Sequence, residues 1–240
     1  MDDLRPLDDP GMTRRGSLFR LGGLLAAAVG VAGWKAGSSF GGAEAETVSC
    51  LLTPEQTEGP YYIPGEKTRR NITEGKPGAP MTLRLKVVDA STCRPLKGAA
   101  VEIWHCDAGG LYSGFVAASA GGPGASQPTD KLTFLRGSQR TDASGVATFQ
   151  TIYPGWYRGR TVHIHVKVHV GGSVVHTGQL YFPDGLTDAV YAKAPYSKRG
   201  SRDTRNADDG IFGSGGASSL LRLRRSGTGW LGTLTMGVRR

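Results

Sequence analysis

The sequence predicts an all-β protein, a β-sandwich of mostly antiparallel strands whose long loops form the functional site. Three observations predict it. Short segments alternate apolar and polar residues with period two, as in MTLRLKVVD (81–89), where Leu83, Leu85 and Val87 oppose Arg84 and Lys86. Turn-forming clusters such as STCRPLKG and DASG separate these segments. Glycine is abundant, at 37 of 240 residues, while extended apolar stretches of helical period are scarce.

Residues 1–45 read as a targeting segment rather than as fold. Thr13 to Leu18 (TRRGSL) is a twin-arginine pattern, an apolar run from Leu21 to Trp34 follows, and Ala43-Glu44-Ala45 offers a small-x-small cleavage site. The run is short for a bilayer span, which takes about 20 residues. The reading is therefore cleavage and export by the twin-arginine route, to an extracellular, periplasmic or cell-surface location, with no stable membrane span afterwards. Retention as an anchor is the alternative. Export in the folded state would let a cofactor be loaded beforehand.

Residues 46–240 then form one domain without repeats. A Pro- and Gly-rich segment (51–78) reads as coil packed on a core. The strand signals are MTLRLKVVD, AAVEIWHCD (99–107), KLTFLRG (131–137), VATFQTIY (146–153), VHIHVKV (162–168), VVHTGQLYF (174–182) and a last one over Trp230 to Val238. A glycine- and serine-rich excursion spans Gly109 to Pro128, and Thr187 to Ala194 is helix-capable. Of three cysteines, Cys50, Cys93 and Cys106, one pair and one free thiol are expected in an oxidising compartment. Cys93 and Cys106 sit at opposite ends of a strand, so a pair involving Cys50 is favoured.

The formal net charge of +9 raises the question of an acidic partner. Lys and Arg are scattered through strands and loops with no aromatic-interleaved basic stripe, which argues against nucleic-acid binding. A homo-oligomer is left open.

Chemistry concentrates in GWYRGRTVHIHVKV (155–168). Strand alternation sends Val162, Ile164, Val166 and Val168 to one face, and His163, His165 and Lys167 to the other. Two imidazoles at i and i+2 on one face can converge on one metal ion. His169 shares that face but lies about 13 Å along the strand, too far for the same ion. His105 and His176 have no such partner. No Asp or Glu occurs between Gly145 and Pro183, which weakens a two-His-one-carboxylate site. Tyrosines are at hand instead, at Tyr112 and Tyr157. A phenol with pKa near 10 ligates only a metal acidic enough to deprotonate it, as Fe(III) is.

The segments EGPYY, VEIWHCDAGGLYSG, YPGWYRGRTVHIHVKV and TGQLYFP together resemble the intradiol ring-cleavage dioxygenases, the catechol and protocatechuate 3,4-dioxygenase group, over about Thr53 to Val238. The resemblance implies a non-haem Fe(III) held by Tyr112, Tyr157, His163 and His165. It implies that Arg160 stabilises charge developing on the substrate ring, that Gln179 orients the reacting species, and that Tyr157 leaves the metal to accept a substrate proton. Tyr61 and Tyr62 match the strip that walls the substrate pocket, where Arg160 also meets the substrate. The implied reaction joins a catechol-type aromatic with O2, cleaving the ring between its hydroxyl-bearing carbons to a muconate-type diacid. Exported members of this kind are expected to act on aromatics outside the cell. Two other readings compete: a non-catalytic transthyretin-like binding module, whose strand–turn–strand rhythm is similar, and a copper or zinc protein using the His-x-His pair.

Overall fold

Alternating apolar residues build two four-stranded sheets packed face to face. The computed structural model describes residues 50–240 apart from Pro123. The targeting segment expected over residues 1–45 lies outside the described residues. The strands are β1 (Pro80–Asp89), β2 (Ala100–Trp104), β3 (Arg136–Arg140), β4 (Val146–Ile152), β5 (His163–Val170), β6 (Ser173–Tyr181), β7 (Arg222–Ser226) and β8 (Gly229–Val238). One sheet runs β4-β1-β8-β7 and the other β3-β2-β5-β6. All strand pairs are antiparallel except β1 with β8. This is the all-β sandwich that the period-two pattern predicts. Among the described residues no helix is long and apolar enough to cross a membrane.

The core lies between the sheets. Leu83, Leu85, Val87, Ala147 and Phe149 from one sheet share a buried cluster with Val101, Ile103, Ile164, Val166, Val168 and Leu180 from the other. Fully burying such side chains stabilises the fold by roughly 1.5–3 kcal/mol each. Alternation alone predicts a half-buried β5. The structure instead buries both faces, with His163, His165 and Lys167 as enclosed as the valines behind them. β5 is an interior strand between β2 and β6, and the segment before β1 covers its polar face. There Lys167 pairs with Glu58 at 2.5 Å and lies over the ring of Tyr62.

That covering segment is more than surface coil. Bridges tie Leu52 to Gly237, Thr68 to Ser138 and Asn71 to Gln150, and Ile72 is fully buried. Two strands differ from the sequence pattern. KLTFLRG marks burial rather than a strand: Phe134 and Leu135 plug the core from a loop, Leu135 takes a positive φ of 58°, and β3 begins only at Arg136. β7 (RLRRS) is an exposed, arginine-rich edge strand, whose charges carry no apolar alternation but discourage edge-to-edge pairing. Helix α1 (Val116–Ser119) interrupts the glycine-rich excursion. Helix α2 (Asp184–Tyr191) starts three residues before the segment its sequence marks. A short α3 (Gly210–Gly213) follows it.

Cys50 and Cys93 form the disulfide, with Cα atoms 5.3 Å apart, and Cys106 is a free, buried thiol donating to the Gly155 carbonyl. The bridge closes a sequence separation of 43 residues and pins the segment before β1 to the β1–β2 turn. Cys93→Ser is expected to lower the unfolding free energy by roughly 3 kcal/mol, read as an earlier urea midpoint. An unchanged midpoint would refute this.

Burial pushes His105 and His176 down to about 4, from an ordinary value of 6.5. The unfolded chain therefore takes up protons first as the pH drops. Stability from this source is complete above pH 6.5 and is lost progressively as the pH falls toward 4. Thermal melting of the metal-free protein should drop over that window, and His176→Leu should flatten part of the drop. An unaltered acid limb in the variant would show that His176 already titrates normally.

Candidate metal centre

Two imidazoles meet at the start of β5. His163 Nε2 and His165 Nε2 stand 3.1 Å apart, and the Tyr157 hydroxyl lies 3.1 Å from His163 Nε2. The Thr161 carbonyl, 2.6 Å from His163 Nδ1, can only accept, so Nδ1 carries the proton of the neutral ring and Nε2 presents its lone pair. Burial, and then the Arg160 charge, lower the His163 pKa to about 3; burial and then His163 lower that of His165 well below its ordinary value. Both rings are therefore neutral at physiological pH. Strand register supplies their surroundings: Trp104 on β2 and Gln179 on β6 are the cross-strand partners of His165. The indole of Trp104 stacks on the His165 ring at 4.9 Å and 4°.

The tyrosines arrive on loops. Tyr112 follows β2 in Gly109-Gly110-Leu111-Tyr112, and Tyr157 follows β4 in Pro154-Gly155-Trp156-Tyr157. The two loops touch backbone to backbone through their glycines. A Cβ on Gly155 would stand 2.4 Å from the Asp107 carbonyl oxygen, and one on Gly110 (φ +84°) would stand 2.3 Å from that of Trp156. Larger residues would wedge the loops apart. Their contact sets the Tyr112 and Tyr157 rings edge to face at 5.7 Å. Tyr112 is fully buried, and its hydroxyl makes no well-formed hydrogen bond, with the Tyr157 hydroxyl as its polar neighbour. Burial raises the pKa of both phenols above 10.0, and the neighbouring Tyr157 phenol raises that of Tyr112 further.

Beside these donors Arg160 gives Nη2–H to Gln179 Oε1 at 2.5 Å and Nε–H to Asp209 Oδ2 at 2.9 Å. Gln179 in turn donates to the Thr57 carbonyl at 3.0 Å. The sequence-assigned Arg160, Gln179, Tyr112, Tyr157, His163 and His165 thus come together from four separate segments. Tyr61 joins them, its ring 4.6 Å from Tyr112 and 6.4 Å from Tyr157. Tyr62 takes a different place: its ring packs on Trp104 and Lys167, and its hydroxyl donates to Glu102 at 3.1 Å. His169 faces the same Glu102 carboxylate at 3.3 Å, beyond a register shift between Val168 and His169.

A family model described as Dioxygenase matches residues 57–195, more than half of the chain. The chain belongs to the intradiol ring-cleavage dioxygenase family. An intradiol ring-cleavage dioxygenase from Tetranychus urticae is 38% identical, covers 79% of this chain and 95% of its own, and superposes with a TM-score of 0.75. The dioxygenase domain of a carbohydrate-binding fusion protein from Streptomyces sp. SirexAA-E is 33% identical, covers 79% of this chain and 99% of its own, with a TM-score of 0.59. Catechol 1,2-dioxygenase 2 from Acinetobacter lwoffii is 34% identical over 109 residues, 44% of this chain. That match spans only 35% of the curated relative's length.

In this member of the family the donor set fits a hard cation. Two imidazole nitrogens and a phenol oxygen converge, and a second phenol beside them is buried with no well-formed hydrogen bond of its own. Among the described residues no group of three or more His, Cys, Asp or Glu offers another metal site. Sequence reasoning missed Asp209, Thr161 and Trp104. Asp209 stands before Gly-Ile-Phe, a cap-like position that could have flagged it as a side-chain acceptor. Nothing local to Trp104 marks it, because its role follows from strand register.

An unpaired buried hydroxyl costs about 1–3 kcal/mol. Tyr112→Phe should therefore leave the metal-free protein as stable as before, or about 1 kcal/mol more stable, while removing one of the four candidate donors. Urea denaturation reads this directly. A clear loss of stability would show that the hydroxyl has a partner in solution.

Proposed function

We propose that the protein is a non-haem Fe(III) enzyme that cleaves catechol-type rings between their two hydroxyl-bearing carbons, using O2 and giving muconate-type products. The observation that carries this is the convergence of Tyr157 Oη, His163 Nε2 and His165 Nε2 beside the buried Tyr112 hydroxyl. Tyr112, Tyr157, His163 and His165 would hold the metal. Bound ferric iron supplies Lewis-acid activation of the catechol toward O2 and a template for both substrates.

The chain's own groups account for the rest. The Thr161 carbonyl holds His163 in the tautomer that presents Nε2. Tyr157 Oη, within 3.1 Å of that nitrogen, would give up its own proton on holding the metal and is then the atom placed to take one back from a substrate hydroxyl. The Arg160 guanidinium, 16% exposed, supplies fixed positive charge where negative charge develops on the ring. Gln179, tied to Arg160 and to Thr57, orients the oxygen-bearing reactant through its amide. Tyr61, with Phe115 against it at 5.4 Å, gives the ring an aromatic wall. Enclosure by these groups keeps water from the reacting carbons.

The twin-arginine pattern and cleavage site support a working enzyme outside the cytoplasm. The Cys50–Cys93 bridge supports that reading, since structural disulfides persist in oxidising compartments.

The purified protein is expected to be red, from tyrosinate-to-Fe(III) charge transfer, and to consume O2 with catechol. His163→Ala should abolish both. A colourless, iron-free preparation without O2 uptake would sink the proposal.

A further inference from the structure

The geometry points to Asp209 as a positioning residue: one buried carboxylate fixes the Arg160 guanidinium and, through Thr161, the orientation of His163. The inference rests on the iron-site reading above. Asp209 is only 3% exposed, and its two oxygens have separate tasks. Oδ1 accepts the backbone N–H groups of Ile211 at 2.8 Å and Phe212 at 3.1 Å, capping α3. Oδ2 accepts Arg160 Nε–H at 2.9 Å and the Thr161 backbone N–H at 2.8 Å. The Thr161 carbonyl then accepts His163 Nδ1–H at 2.6 Å. A single oxygen therefore sets the group that meets substrate charge and anchors the backbone N–H of the residue whose carbonyl aims a metal-ligating ring.

The linkage closes on itself. Gln56 donates to the Ile211 carbonyl at 2.7 Å, just past the Asp209 cap, and accepts from the Tyr181 hydroxyl at 3.0 Å. The Tyr181 hydroxyl also reaches Gln179 Oε1 at 3.2 Å, the atom that Arg160 Nη2 contacts. Asp209 thus joins the loop carrying α3 to the entry to β5, and Gln56 and Thr57 tie the segment before β1 to either side of that junction. A plain helix cap would need only Oδ1. Groups that orient metal-ligating histidines characteristically cost 10–100-fold in metal affinity or activity when lost.

Two substitutions separate the roles. In Asp209→Asn one acceptor oxygen becomes a donor, so the side chain keeps its shape but cannot serve both sets of N–H groups. In Asp209→Ser the hydroxyl can still cap α3 and is too short to reach Arg160 and Thr161. Metal-free wild type and variants would be compared by thermal melting and by titration with ferric nitrilotriacetate, followed through the visible charge-transfer band. The loaded enzymes would then be compared by kcat and KM for O2 uptake with catechol. The expected result is an Asp209→Ser protein that still folds, with a lowered melting point because Arg160 loses its carboxylate, binds ferric iron at least tenfold more weakly, and loses at least tenfold in kcat with a smaller change in KM. Should Asp209→Asn fail to fold, the serine variant decides. Wild-type affinity and kcat in folded Asp209→Ser would overturn the inference alone, leaving a helix cap. A wild-type protein that takes up no ferric iron would overturn the iron-site reading and this inference with it.

Discussion

The rest of the structure depends on the burial of β5 on both faces. Its aliphatic face anchors one sheet to the other, and its opposite face is sealed by the segment before β1, so water is excluded from a row of polar side chains. In such surroundings an unpaired charge costs several kcal/mol, and the site meets that constraint in two ways. Each cation near the histidines has a carboxylate partner: Arg160 with Asp209 at 2.9 Å, Lys167 with Glu58 at 2.5 Å and Arg136 with Glu66 at 3.5 Å. The ligating groups themselves stay neutral, the imidazoles with pKa pushed down and the phenols with pKa pushed up. Four neutral donors ringed by compensated charges form a place where a multivalent cation restores what desolvation has removed.

Two kinds of positioning meet at that place. The imidazoles are set by strand register, which fixes His165 between Trp104 and Gln179 to within the tolerance of a hydrogen-bonded sheet. The phenols are set by loops, and loops need another source of precision. Close backbone contact through Gly110 and Gly155 provides it, because the two turns can seat against each other only when neither carries a Cβ. The division suits the chemistry proposed. His163 and His165 stay as rigid as the sheet, whereas Tyr157, on a loop, would be the ligand able to depart and carry a proton.

Much of this was legible in the sequence, and the boundary has physical causes. Period-two alternation revealed β1, β4, β5 and β6, since half-apolar strands record burial directly. The same logic failed at Phe134-Leu135, where apolar residues fill the core from a loop, and at β7, whose arginines face solvent and record nothing. The donors were legible because His-x-His places two rings on one face whatever the remainder of the fold does. Asp209 was not, since it reaches Arg160 across a chain separation of 49 residues. The glycine contact between the tyrosine loops was likewise invisible until the two turns were placed together. Local chemistry is written locally; what orients it comes from distant segments that only the fold unites.

Comparison of the buried histidines shows what separates a structural ring from one built for chemistry. His105 is as enclosed as His165, yet both its nitrogens are engaged, with the Cys106 carbonyl at 2.8 Å and the Thr151 hydroxyl at 2.7 Å. Native folds pair more than about 90% of such groups, and His105 obeys that rule. At the candidate metal centre the rule is relaxed: Tyr112 Oη, His165 Nδ1 and Trp104 Nε1 are all buried without a well-formed hydrogen bond, and these residues pack together. Each such atom costs about 1–3 kcal/mol, so three together are a concentrated expense that the sandwich core has to offset. His176 also has an unpartnered nitrogen, but it lies on a different strand and lacks a converging donor set. Clustering, rather than burial or an unmet hydrogen bond alone, therefore distinguishes this site from the histidines that only fill the fold.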